Sequence, residues 1–90
     1  MLVTLRQLQY IIAVADTGSF SKAADQCAAE QSTVSQQVKV LEERLGKALF
    51  DRSKQPITAT EEGLSVVAQA REIVGKVEEM IRPFRKIPGS

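Results

Sequence analysis

One side of a predicted helix near the middle of the chain carries short hydrogen-bonding side chains. The members of this side are Ser32, Ser35, Gln36 and Lys39. Their spacings of 3, 1 and 3 residues place them on one face of an α-helix. Hydroxyl, amide and ammonium groups can form hydrogen bonds with base edges and phosphates in the major groove of DNA. The face therefore indicates a DNA-binding surface, although a three-helix bundle with a Ser/Gln-rich solvated face would show the same pattern.

The opposite side of the same helix is apolar, and it predicts what must hold the polar face in place. The apolar positions are Val34, Val38, Leu41 and Leu45. They predict a helix over about 32–45 that ends at Gly46, a residue favoured just past a helix end. A shorter helix precedes it, with inward positions Phe20, Ala23, Ala24 and Cys27. Residues 28–31 form the turn between the two, which gives a helix-turn-helix arrangement.

A first amphipathic helix is predicted over about residues 4–16. Its apolar stripe is Leu5, Leu8, Ile12 and Ala15. Gly18 can adopt the left-handed conformation that ends such a helix. Ser19 or Ser21 can then cap the next helix by accepting hydrogen bonds from its free N–H groups.

Two short, partly alternating segments follow the helix-turn-helix pair. Residues 48–52 and 57–59 flank a polar, proline-containing stretch, 53–56, and together predict a two-stranded hairpin, or wing, with a basic tip. Thr60 is suited to cap a fourth helix, and two glutamates after it oppose the positive end of the helix dipole.

The fourth helix is predicted over about 61–82, with Pro83 ending it and a frayed tail over 85–90. Its apolar stripe is wider and longer than a lone domain of this size can cover. The stripe predicts a homodimer interface through this helix, whose members are Val67, Ala70, Ile73, Val74, Val77, Met80 and Ile81. The alternative is packing against the first helix, and we expect part of the N-terminal half to do both.

Composition narrows the possible functions. Ninety residues suit one small domain, and no apolar run predicts a membrane span. The absence of histidine removes His-based metal sites and general bases, so we expect no metal, no cofactor and no enzyme activity. The single cysteine, Cys27, suits the cytoplasm, and a buried structural thiol is favoured over a redox sensor. A pure protein-interaction module is the main competitor, since the net charge is only +1.

Five ordered motifs resemble the N-terminal DNA-binding domain of LysR-type transcriptional regulators. They are GSFSKAA (18–24), QSTVSQQV (31–38), LEERLG (41–46), LFDR (49–52) and TEEG (60–63). The resemblance extends from Leu5 to about Ile81 and implies a mainly α, winged helix-turn-helix fold over 1–60. It also implies a linker helix over 61–84 that forms a dimer, with tetramers in the full-length protein. A C-terminal domain that binds a small-molecule inducer would lie outside this chain.

The resemblance also implies which side chains contact double-stranded DNA. The positions that face the groove in the family are Gln31, Ser32, Thr33, Ser35 and Gln36. Lys39 and Lys22 would contact phosphates, and Arg52 and Lys54 on the wing would reach the minor groove or the backbone. For Arg52, a salt bridge to an acidic neighbour is an equally good interpretation. Glu42 and Glu43 are interpreted as part of a solvated face.

Overall fold

The computed structural model describes residues 2–85. The elements in chain order are α1 (Leu5–Thr17), α2 (Phe20–Gln26), α3 (Gln31–Leu45), β1 (Phe50–Asp51), β2 (Thr58–Ala59), α4 (Glu61–Ile81) and a 3₁₀ turn (Arg82–Phe84). β1 and β2 pair antiparallel, with Phe50 opposite Ala59. This is the winged helix-turn-helix predicted from the sequence, followed by one long helix.

The helix ends are set by residues that satisfy free backbone groups. The side chains of Thr4, Ser19 and Thr60 accept hydrogen bonds from the first turns of α1, α2 and α4, respectively. Gly18 and Gly46 end α1 and α3 in the left-handed conformation, with φ of 67° and 73°. The predicted caps at Ser19 and Thr60 and the predicted end at Gly46 are therefore confirmed.

The core forms where α2, α3 and α4 all pack against α1. Its largest fully buried side chains are Ile11, Val14, Val34, Val38, Leu41 and Leu49. The predicted stripe of α1 was partly wrong: Leu5 is exposed, while Ile12 and Ala15 are only half-buried. Since three helices cover α1, the buried arc is wide and centres on Ile11 and Val14 rather than on the predicted stripe.

The N-terminal half of α4 belongs to this core. Val67 and Ala70 are 5% and 1% exposed within the single chain. Both therefore have almost no surface left for a second copy, which corrects their inclusion in the predicted homodimer interface. An exposed ion pair between Arg71 of α4 and Asp16 of α1, 2.6 Å from nitrogen to oxygen, also joins the two helices, and its hydrogen bond raises the pKa of Arg71. Of the predicted tail over 85–90, residues 86–90 lie outside the described residues.

Candidate nucleic-acid interface

The polar face of α3 is held outward by the apolar side behind it. Val34, Val38 and Leu41 are completely buried against the rest of the domain. The predicted DNA-contacting residues of α3 lie around the other sides: Gln31, Ser32, Thr33, Gln36 and Lys39 are exposed, and Ser35 is half-buried. Burial on one side sets which face of the helix is turned outward, so these side chains lie on one exposed surface.

The turn before α3 is tight, and small residues make it possible. Ala23 and Ala24 of α2 are buried and let neighbouring helices approach closely. Ala28 has a positive φ of 51°, and the Ala29 N–H donates to the Ala24 carbonyl at 3.0 Å, which closes the turn. Glu30 precedes α3 without a side-chain cap. The N–H groups of the first turn of α3 therefore have no capping side chain and can meet a phosphate.

The wing is anchored at its base and exposed at its tip. The Ile57 N–H donates to the Gly18 carbonyl at 2.9 Å, which ties the second half of the hairpin to the turn between α1 and α2. Lys54 at the tip is exposed. Asp51 accepts hydrogen bonds from the hydroxyl and the backbone N–H of Ser53, which lower the pKa of its carboxyl. The tip thus presents an exposed ammonium group beside an ordered turn, and the charge of Lys54 also helps to lower the pKa of Asp51.

Glu42 joins α3 to the wing, a role that the sequence interpretation missed. Its carboxylate accepts the Leu49 N–H at 2.7 Å, the Phe50 N–H at 3.4 Å and the Arg52 guanidinium at 2.8 Å. Its side chain is only 13% exposed, so placing Glu42 on a solvated face was wrong. A carboxylate that accepts several donors fixes them relative to one another, here the start of β1 relative to α3.

Arg52 forms the salt bridge that the sequence left as one of two interpretations. Besides its contact with Glu42, its guanidinium lies over the Phe20 ring, 4.7 Å from the ring centre. The side chain remains 38% exposed. Arg52 therefore links α2, α3 and the wing, and its contact with DNA stays a prediction.

The two remaining predicted features lie on α2. Lys22 is exposed in the first turn of that helix, where its backbone N–H is bound by the Ser19 hydroxyl. Cys27, just past the end of α2, is half-buried rather than fully buried and packs against the core. Within residues 2–85 there is no group of three or more His, Cys, Asp or Glu side chains placed to hold a metal ion.

The C-terminal half of α4 leaves an apolar face uncovered by its own chain. Ile73 and Met80 are 49% and 65% exposed, while Val74, Val77 and Ile81 are half-buried. This face continues into a groove formed with the start of α1 and the end of α3, whose other apolar lining residues include Val3, Leu8, Leu41, Leu45 and Val66. Large contiguous apolar surfaces of this kind usually mark interfaces. No helix in the described part of the chain is long and apolar enough to cross a membrane.

Comparisons with known proteins agree with this geometry. The sequence profile of the family described as bacterial regulatory helix-turn-helix protein, lysR family, matches residues 5–64. The transcriptional activator AllS of Klebsiella pneumoniae is 40% identical over 80 residues, which cover 89% of this chain and 30% of AllS. The transcriptional regulator CfxR of Cupriavidus necator is 44% identical over 77 residues, which cover 86% of this chain and 24% of CfxR.

A solved structure shows the same fold on DNA. The DNA-binding domain of BenM, crystallised with catB site 1 DNA, matches with a TM-score of 0.85 and 36% identity, covering 89% of this chain and 86% of that one. The fold and the exposed face of α3 define a winged helix-turn-helix DNA-binding domain. The chain belongs to the LysR family of bacterial transcription regulators, which is a family of DNA-binding proteins and not of enzymes. It spans less than a third of the length of AllS and CfxR.

Proposed function

We propose that this domain binds an interrupted palindromic operator as a homodimer, with one α3 in the major groove at each half-site. The observation that carries the proposal is the α3 surface, which is apolar and buried on one side and polar and exposed on the other. A twofold dimer presents two such helices at a fixed separation, so the two half-sites would be inverted repeats with a spacer. The cognate sequence can be isolated by selecting bound duplexes from a random oligonucleotide pool.

Within α3, we assign base reading to the exposed amide and hydroxyl groups and phosphate binding to the cation. Gln36 can form two hydrogen bonds with the edge of one adenine. Gln31, Ser32, Thr33 and Ser35 can contact further base edges or the adjoining sugar–phosphate backbone. Lys39 lies one turn beyond Ser35 and carries a point charge suited to a phosphate. Lys22 on α2 would add another phosphate contact.

Replacing Gln36 by alanine should relax the preference at one base position of each half-site. A paired amide–adenine contact discriminates against a wrong base by about 1–3 kcal/mol. The measurement is a set of dissociation constants on the selected operator and on all its single-base variants. Lys39→Ala is the matched comparison, because loss of a phosphate contact should weaken binding to every duplex by a similar factor. If Gln36→Ala keeps the wild-type preference at every position, Gln36 is not a base reader.

We assign the wing to the DNA flanking each half-site. Lys54 at its tip is exposed and free to approach the backbone or the minor groove, while Arg52 fixes the wing to α3 and retains exposed surface for a second contact. Cations at these positions supply affinity that depends on salt and little on sequence.

Replacing Lys54 by alanine should weaken binding to operator and unrelated DNA by a similar factor. The plot of log affinity against log salt concentration should become shallower by about one unit, because one fewer phosphate is neutralised. Lys54→Arg keeps the charge and should keep the slope. A slope that is the same for Lys54→Ala and the wild type would place Lys54 away from DNA in the complex.

For the whole protein, we propose a bacterial cytoplasmic regulator whose further residues bind a small-molecule inducer and assemble it into a tetramer. Support comes from full-length relatives, of which this chain matches only one part. The full-length regulator LysG of Corynebacterium glutamicum, solved with the bound effector Arg, matches with a TM-score of 0.82 and 35% identity, and the match covers 28% of LysG. In such an arrangement, residues 1–60 would read DNA and residues 61–84 would pair the two copies.

A further inference from the structure

Apart from Tyr10, Gln7 of α1 is the one polar side chain that is almost completely buried within residues 2–85, with 2% of its surface exposed. Its amide oxygen accepts the Thr4 N–H at 3.0 Å. Its amide nitrogen donates to the side-chain oxygen of Gln37 on α3, also at 3.0 Å. Because a backbone N–H can only donate, Thr4 fixes which end of the Gln7 amide faces α1, and the nitrogen must face α3.

The partner of Gln7 lies next to the proposed DNA-contacting residues. Gln37 directly follows Gln36 and lies one helical turn after Thr33. The buried contacts of α3 at Val34, Val38 and Leu41 are apolar. Its other polar contacts hold different parts of the chain: Glu42 binds the wing, and Arg44 donates to the Leu2 carbonyl at 3.0 Å, before α1 begins. Apolar contacts set how closely two helices approach, but they are not directional. A hydrogen bond with defined geometry restricts rotation and sliding as well.

We propose that Gln7 is a positioning residue for DNA reading, which acts through Gln37 to fix the rotation of α3 relative to α1. This inference rests on the proposed binding of α3 in the major groove. Gln7 itself is buried and does not touch DNA. The energetic reason for keeping a polar group there is that each amide satisfies the other, whereas Gln7 without Gln37 would leave a buried amide N–H group without a hydrogen bond.

Two substitutions at position 7 separate a positioning role from a merely structural one. Gln7→Leu has a similar volume and removes both side-chain hydrogen bonds. Gln7→Glu keeps the helix cap, since a threonine followed three residues later by glutamate forms a capping box, and the start of a helix favours the negative charge. Its carboxylate can also accept from the Gln37 amide once that amide turns over. The contact between α1 and α3 is therefore kept in one variant and lost in the other.

The quantity to measure is the ratio of dissociation constants for unrelated DNA and for the selected operator. It is measured at a temperature where circular dichroism shows each variant fully folded. The ratio cancels the effect of the added charge in Gln7→Glu, since that charge acts on both duplexes. We expect this ratio to be roughly tenfold smaller for Gln7→Leu than for the wild type. A change of that size lies within the range of interaction energies between neighbours in one hydrogen-bond network. The ratio for Gln7→Glu should stay within about twofold of the wild-type ratio, because this variant keeps the contact between α1 and α3.

The proposal is overturned if folded Gln7→Leu keeps the wild-type ratio, or if Gln7→Glu loses as much as Gln7→Leu. The same test can be made at position 37, where the side chain is only half-buried and substitution leaves the core intact. Gln37→Glu keeps an acceptor for the Gln7 amide and should keep the wild-type ratio. Gln37→Leu removes that acceptor and should lower the ratio as Gln7→Leu does. The double variant Gln7→Leu/Gln37→Leu should lower the ratio no more than either single substitution does. If the two effects instead add, the two residues act separately.

Wild-type protein on the same duplexes distinguishes this proposal from the function on which it rests. If the wild type shows no preference for any selected duplex, base reading by α3 fails and the proposal fails with it. If the wild type prefers its operator and Gln36→Ala relaxes that preference, base reading holds. The Gln7 variants then decide the positioning role alone.

Discussion

Replacing Gly63 by alanine is expected to lower the free energy of unfolding by about 3 kcal/mol or more, at the upper end for overpacked sites. A Cβ atom at this position would lie 1.8 Å from the Leu49 carbonyl oxygen and 2.8 Å from its carbon. These are backbone atoms, so no side-chain rotation can relieve the overlap. The start of α4 and the segment before β1 would have to move apart.

The Leu49 backbone is not free to make that movement. Its carbonyl accepts the Thr60 N–H at 2.9 Å, its own N–H donates to Glu42 at 2.7 Å, and its side chain is completely buried. Relieving the overlap would break at least one of these contacts. Because a small domain is stable by only about 5–15 kcal/mol, the loss would be a large fraction of the total.

Gly75→Ala is the matched control in the same helix. Nothing lies within 4 Å of a Cβ at that position. Alanine there should raise stability by about 1 kcal/mol through its better helix propensity. Thermal unfolding followed by circular dichroism should show the melting midpoint falling by roughly 15 °C for Gly63→Ala and rising by about 5 °C for Gly75→Ala. A Gly63→Ala protein as stable as the wild type would contradict the close approach of α4 to residue 49.

Gly63 also illustrates what the sequence could and could not predict. The motif of residues 60–63 correctly predicted a helix start, because a threonine cap and acidic first-turn residues act locally. The reason for a glycine at the fourth position lies 14 residues earlier in the chain, in a contact between two separate elements. Local patterns carry no information about such an approach.

The difference between local signals and contacts between separate elements also explains which other sequence predictions were right. α3 was predicted almost to the residue because its apolar side packs in one direction and its end is marked by a glycine. The length of α1 was predicted well, but its buried side was not. Three elements cover α1, so a single apolar stripe cannot describe its burial. Glu42 and Gln7 were missed because their roles depend on partners in other elements, Arg52 and Gln37, whose proximity only the fold creates.

Replacing Ile73 by aspartate is expected to convert a dimer into monomers that still fold. Ile73 is 49% exposed in the single chain and lines the groove between the start of α1 and the C-terminal half of α4. Full burial of an exposed isoleucine contributes about 1.5–3 kcal/mol, so burying the exposed half of Ile73 contributes roughly half of that, and a twofold interface counts it twice. The substitution removes this contribution and brings two carboxylates into an apolar interface. About half of the Ile73 surface is exposed in the single chain and Ile73 is not part of the buried core, so the monomer should still fold.

Leu64→Asp is the matched control, because it introduces the same charge on the same helix. Leu64 is 65% exposed, but it lies with Ala15, Ile57 and Ala68 on a different flank of α4. Sedimentation equilibrium at tens of micromolar should show wild-type and Leu64→Asp dimers and Ile73→Asp monomers. A wild-type chain that is monomeric there, and remains so on DNA, would refute the interface.

DNA binding gives a second, independent consequence of the same substitution. A preformed dimer delivers its second α3 to the second half-site as an intramolecular event, so the full operator is bound far more tightly than one half-site. Monomers lose that advantage while each α3 keeps its own base contacts. Ile73→Asp should therefore bind a full operator little better than a half-site, with an unchanged half-site affinity. A variant that also loses half-site affinity would show that Ile73 supports the DNA-binding surface itself and not only the pairing of two copies.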